Sequence, residues 1–140
     1  MIKIIYVDMV GDLFHYGHVN MLKKAKQEGD LLYVGIHSDK DVEKYKRTPI
    51  LTMEERISVI EGCKYVDKII PNAPLIVTKE YMEQYNIDLV CHSHSEEEDS
   101  NYNITLGYPK SVGKFKRLEY TDEISTTQII KRIKDKQTTN

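Results

Sequence analysis

His15 and His18 stand three residues apart with Gly17 between them, just after an apolar run and at the start of a helical pattern. On the first turn of a helix that spacing turns both imidazoles to one side. Gly17 has no side chain, so an anion can approach the backbone closely. The unpaired amides and the positive end of a helix attract phosphate as well. The pattern reads as a phosphate cradle with two titratable hydrogen-bond donors in it. Capping or metal-binding histidines are the alternative, and a zinc site would need further ligands. Cys91, His92 and His94 are the candidates for those.

Two more groups could handle anions. Lys44, Lys46 and Arg47 form a basic run ahead of Arg56. Taken alone, such a run is usually a solvated face. Lysine nevertheless suits a moving phosphoryl group as a compact charge, and arginine can grip a phosphate with two prongs. Ser125-Thr126-Thr127-Gln128 opens the last helical pattern. Ser125 and Gln128 make a capping box, and the remaining amides of that helix start are free for phosphate.

The elements that must position these residues alternate along the chain. Ile2–Val7, Leu31–Ile36, Val66–Ile70, Ile87–Cys91 and Phe115–Leu118 read as strands. Helices are expected over 18–28 with Gly29 as a left-handed cap, after the capping box at Thr52, after Thr78, and from Ser125 with Ile129, Ile130 and Ile133 inward. This order predicts an α/β fold: a Rossmann-like, doubly wound parallel sheet of about five strands with helices on both faces. Ligands in such sheets bind beyond the carboxyl ends of the strands, where the motifs lie. Residues 92–114 break the rhythm and read either as a mobile loop near the site or as a surface insertion.

The 140 residues suffice for one domain, expected over 1–134 with a polar tail at 135–140. A net charge of −2 advertises no nucleic-acid partner, so a bound anion needs a local cluster of donors. The two cysteines, Cys63 and Cys91, sit in apolar runs and read as buried free thiols in a reducing cytoplasm. The amino-terminal apolar run meets Asp8 and Asp12 too soon for a signal peptide or a membrane span.

Asp12-Leu13-Phe14-His15-Tyr16-Gly17-His18 resembles the signature of the cytidylyltransferase family. The likeness continues through Val34-Gly35-Ile36-His37-Ser38-Asp39, Pro49 to Arg56, Tyr65-Val66-Asp67, Asn72-Ala73-Pro74 and Ile124 to Thr127. Asn72-Ala73-Pro74 and Asp88 to His92 look most like the choline- and ethanolamine-phosphate branch. The resemblance implies transfer of CMP from CTP to a phosphorylated alcohol, with phosphoethanolamine or phosphocholine favoured and glycerol 3-phosphate as an alternative. It implies catalytic roles for His15, His18 and Lys46, nucleotide contacts at Asp12, Gly17, Ser125, Thr126 and Thr127, and acceptor contacts at Arg56 and Asp39. It further implies magnesium carried on the nucleotide phosphates, with no metal ligands from the protein, and a homodimer. Adenylyl transfer, or a nucleotide-binding paralogue without activity, are the competing readings.

The chain departs from the family pattern in three places. Tyr120-Thr121-Asp122-Glu123 lacks the arginine and the glycine expected ahead of Ile124, which leaves Lys116, Arg117 or Arg56 to compensate. Met9 and Gly11 replace a glycine and an aromatic residue, and Ser93, His94 and Ser95 replace a glycine and an acidic pair.

Overall fold

The computed structural model describes residues 1–121 and 124–138. Five strands, β1 (Ile4–Met9), β2 (Leu31–Ile36), β3 (Lys68–Pro71), β4 (Leu89–Ser93) and β5 (Phe115–Leu118), form one parallel sheet in the order β3-β2-β1-β4-β5. The register of β1 against β2 runs from Ile4 opposite Leu31 to Met9 opposite Ile36. Three of the strands begin and end one to two residues later than the apolar runs predict. Their last residues pair with neighbouring strands: Met9 and Pro71 lie opposite Ile36, and Ser93 opposite Leu118.

Alternation along the strands builds two cores. Ile5, Val7, Met9, Leu32, Val34 and Ile36 face one way, against Leu22 and Ala25 of α1 (Tyr16–Lys26) and Ile60 of α3 (Met53–Ile60). Tyr6 and Val90 face the other way, against Val77 and against Tyr81 and Met82 of α4 (Lys79–Gln84). Winding therefore reverses between β1 and β4, and the crevice at their carboxyl ends is where such sheets hold ligands.

Tyr81 Oη donates to Tyr6 Oη over 3.0 Å inside the second core. Gly35 on β2 makes room for that pair, since a Cβ there would overlap the Tyr6 hydroxyl and come within 2.7 Å of Ala73 Cβ. Gly35→Ala is expected to cost about 1–3 kcal/mol, as over-filled cores do. Urea unfolding checks this, and unchanged stability would contradict the packing.

Several local expectations need correction. Gly29 is not a left-handed cap: the helix closes at Gln27 in right-handed geometry, and Gly29 lies tight against Ile5 and the Lys3 carbonyl. Helix α6 (Thr126–Thr138) carries the chain through residues 135–138. Ile133 is exposed, while Ile129 and Ile130 are half-buried. Cys63 is half-buried rather than buried. A short helix α2 (Asp39–Glu43) follows β2, capped by Ser38.

Residues 92–114 contain short elements of their own. A 3-10 turn at Asp99–Tyr102 and a short helix α5 (Gly107–Ser111) lie there, anchored by buried Leu106 and Pro109. No described helix is long and apolar enough to cross a membrane.

Candidate active site

The start of α1 is a capping box built from two histidines. His15, in extended backbone, is the N-cap, and its Nδ1 accepts the Gly17 N–H at 3.1 Å. His18 Nδ1 accepts the His15 N–H at 3.0 Å. A capping box normally uses a hydroxyl and a carboxylate, and imidazole serves here because its unprotonated nitrogen is an acceptor. The consequence is chemical. With Nδ1 committed as a lone pair on both rings, each neutral imidazole carries its proton on Nε2. The pair, with ring centres 3.9 Å apart, therefore offers two N–H donors and no metal-binding lone pair.

Gly17 is part of this device. A Cβ at that position would sit 2.9 Å from His15 Cε1 and 3.2 Å from Ile124 Cγ2, so any larger residue displaces the capping ring. Ile124 is there because the start of α6 lies beside the start of α1. Thr126 Oγ1 donates to the Asp12 carbonyl at 2.8 Å, and Ser125 Oγ caps α6 by accepting the Gln128 N–H at 3.1 Å. The amides of Thr126 and Thr127 have no helical partners, and Thr127 is exposed. Two positive helix ends thus meet at one place.

Burial pushes the His18 pKa down from 6.5 to about 3, with His15 and Lys46 adding to the effect and Asp12 opposing it. Burial lowers His15 too. The unfolded chain takes up a proton on His18 near 6.5, whereas the folded chain resists until about 3. Stability is therefore fully present above pH 6.5 and falls as pH drops toward 3. His18→Asn keeps an acceptor for the His15 amide but cannot titrate, so its acid-side loss in urea titrations should be shallower than in the parent. Parallel pH profiles would contradict this.

Lys46 lies on the exposed stretch between α2 and α3, close enough to depress both His18 and His92. Its own pKa is lowered by desolvation and then by Arg47.

The remaining expected contacts take a different form. Asp12 does not face solvent: its carboxylate accepts the Ile50 and Leu51 amides at 2.8 and 3.0 Å. Arg56 is 0% exposed. Its guanidinium donates to the Leu51 carbonyl at 3.2 Å, the Val10 carbonyl at 2.6 Å and Asp39 Oδ1 at 2.6 Å. Arg56 joins the end of β1, the loop before α3 and the start of α2, while the Asp39 side chain is 40% exposed and meets Arg56 through Oδ1. Of the cations expected to replace the missing arginine, Lys116 pairs with Glu28 and Arg117 donates to the His94 carbonyl at 2.9 Å. Asp122 and Glu123 lie outside the described residues.

The residues that a zinc site would draw on do not converge among the described residues. Cys91 points into the α1 core, where burial pushes its thiol up to about 12, while His92 faces the other side of the sheet. Among the described residues no three His, Cys, Asp or Glu groups could hold one metal ion.

At the β1–β4 crevice the structure brings together groups that no single sequence motif joins. Asp8, His37 and His92 share the face of Tyr6, and His37 Nε2 is buried without a hydrogen-bond partner, 3.5 Å from Asp8 Oδ2. Tyr45 Oη and His37 Nδ1 are 3.2 Å apart, and Tyr102 lies over His92 and His94 at 4.5 and 4.4 Å. The available signal was the parity of strand ends: Asp8 follows Tyr6 by two, and His92 follows Val90 by two.

The model of the "Cytidylyltransferase-like" family matches residues 11–132. The chain belongs to that family. Ethanolamine-phosphate cytidylyltransferase of Dictyostelium discoideum is 33% identical over 92% of the chain and 36% of its own length. Choline-phosphate cytidylyltransferase 2 of Arabidopsis thaliana is 37% identical over 92% of the chain and 44% of its own length. The chain thus spans less than half the length of these curated relatives. Among solved structures, the lipopolysaccharide core biosynthesis protein from Thermoplasma volcanium superposes with a TM-score of 0.72 at 22% identity, covering 87% of this chain and all of that one. That likeness establishes the fold of this cytidylyltransferase-like chain, and the family match its descent.

Proposed function

We propose that this chain transfers CMP from CTP to a phosphorylated alcohol, phosphoethanolamine or phosphocholine, and releases pyrophosphate. The observation that carries this reading is the convergence of two helix starts on the Nε2–H donors of His15 and His18. The names of its relatives point the same way.

In this reaction an acceptor phosphate oxygen attacks the α-phosphorus in line. A new O–P bond forms as the bond from the α-phosphorus to the bridging oxygen breaks, and the electron pair leaves on pyrophosphate. The nucleophile is already an anion, so catalysis rests on alignment and charge stabilisation rather than on a general base. His15 and His18 donate to α- and β-phosphate oxygens. The amides of Thr126 and Thr127, with Gly17, admit the chain of phosphates, and Lys46 spans the two substrates. Asp12, Asp39, Arg56 and Ser125 act by positioning. Magnesium, when carried on the triphosphate, would supply charge neutralisation there. The donor set supports that placement, because N–H groups suit phosphate oxygens and not a cation.

The reading places the enzyme in the cytoplasm as a homodimer. The apolar groove between α1 and α3, lined by Phe14, Val19, Val59, Cys63 and Tyr65, supports a second copy. Sedimentation equilibrium should give twice the chain mass, and a monomer at assay concentration contradicts it. For the reaction, the test is pyrophosphate release from CTP and from ATP with phosphoethanolamine, phosphocholine and glycerol 3-phosphate. CTP with an amino-alcohol phosphate is the expected pair. Release from ATP alone, or CTP binding without release, overturns the reading.

A further inference from the structure

The basic stretch between α2 and α3 is tied down at two points. At its carboxyl end the Asp12 carboxylate accepts the Ile50 and Leu51 amides at 2.8 and 3.0 Å. At its amino end Tyr45 Oη lies 3.2 Å from His37 Nδ1. His37 is fixed in turn, because its own amide donates to the Met9 carbonyl at 3.1 Å and continues the pairing of β2 with β1. Among the described residues the other side-chain hydrogen bonds of 44–48 stay local, from Lys44 to Asp41 and from Thr48 to Glu43. Tyr45 is therefore the side chain whose hydrogen bond joins this stretch to the end of the sheet.

Lys46 is the next residue along. Its amide and that of Tyr45 both donate to the Val42 carbonyl, at 2.9 and 3.1 Å, so the two side chains leave one tight turn. Lys46 Nζ makes no hydrogen bond or ion pair among the described residues and lies 5.9 Å from the centre of the Tyr45 ring, within reach of its π face. Holding an ammonium on a long flexible stem in one place costs entropy. The ring beside it narrows that freedom.

The tyrosine hydroxyl faces inward although half of the residue is exposed. Burial, then Asp8 and Tyr102, push its pKa up to about 12, so it keeps its proton at any pH used for assay. A neutral phenol can donate to an imidazole nitrogen or accept from one, so the bond to His37 forms with either tautomer of that ring.

We propose that Tyr45 is a positioning residue for the transfer: its hydroxyl, anchored on His37, and its ring, beside Lys46, hold the lysine ammonium where the acceptor phosphate meets the nucleotide. This rests on the cytidylyl-transfer reading and deepens it. A charge stabilises a transition state best when it is in place beforehand, and a lysine ordered only during the reaction lowers the barrier by less.

Tyr45→Phe removes the hydroxyl and keeps the ring. With CTP and the best of phosphoethanolamine, phosphocholine and glycerol 3-phosphate both saturating, its kcat should fall about 3–10-fold, the usual worth of one hydrogen bond. Tyr45→Leu removes the ring as well and should fall further. Lys46→Ala supplies the readout that a merely structural role would not move. That variant should turn over about 10²–10³-fold more slowly than the parent, a rate followed with radiolabelled CTP. In its background Tyr45→Phe should cost nothing more, because the group it positions is gone. An unchanged kcat in Tyr45→Phe, a loss of the same size with and without Lys46, or parent-like turnover in Lys46→Ala overturns the proposal alone. So does a change confined to the KM of the acceptor, which would make Tyr45 a direct contact of that substrate. No pyrophosphate from the parent with CTP and any of the three acceptors overturns the underlying reading and this proposal with it.

Discussion

Replacing His18 by asparagine should lower turnover by about 10²–10³ and leave the start of α1 intact. The substitution separates the two jobs of one ring. Nδ1 caps the helix by accepting the His15 amide, and asparagine Oδ1 can take that bond. Nε2–H is the donor proposed for the triphosphate, and asparagine has nothing at that reach. Alanine removes both, so His18→Ala should lose as much activity and also the cap, worth about 1 kcal/mol. Steady-state pyrophosphate release together with urea unfolding reads the two effects independently. Near-normal turnover in His18→Asn would remove His18 from the chemistry and leave it a structural cap.

Arg56→Ala should cost stability rather than turnover. The side chain is wholly buried, and its loss strips donors from the Val10 and Leu51 carbonyls and from Asp39. Breaking a buried, hydrogen-bonded charge typically costs about 3–5 kcal/mol, against the ~5–15 kcal/mol that holds a whole domain folded. Arg56→Met fills most of the volume yet leaves the same acceptors unpaired, so it should be nearly as damaging. Urea or thermal unfolding decides. A stable Arg56→Met with lost acceptor binding would restore the direct role expected from resemblance.

These two residues also show what the sequence could and could not convey. The histidine pair was legible because everything that makes it work is local: the cap, the three-residue spacing and Gly17 all lie within one turn of helix. The parallel sheet was legible for a related reason, since the apolar runs and capping boxes alternate in chain order. Arg56 was half legible. Its position was right, but the groups that capture it, Val10 and Asp39, are 46 and 17 residues away and depend on how α2 and α3 sit on the sheet. Asp12 shows the same limit. Its carboxylate pins residues 38 and 39 further on, which no spacing rule within the motif reveals.

The stretch 92–114 was least legible. Its polar composition hid the fact that Leu106 and Pro109 anchor it and that Asp99 reaches back to His94. Short elements such as α5 carry too few residues for a periodic signal, and their stability comes from tertiary contact. Alternation by two along β1 and β4 would have put Asp8 and His92 on one face, but only once the strands were known to be neighbours.

In the proposed reaction α1 aims two Nε2–H donors at a nucleoside triphosphate, and histidine ¹⁵N spectra recorded while CTP is added report on both. His15 and His18 should keep bare Nδ1 atoms throughout, and their Nε2–H signals should shift together as CTP saturates. CTP bound by calorimetry with both signals unmoved, or with the proton found on Nδ1, would contradict it.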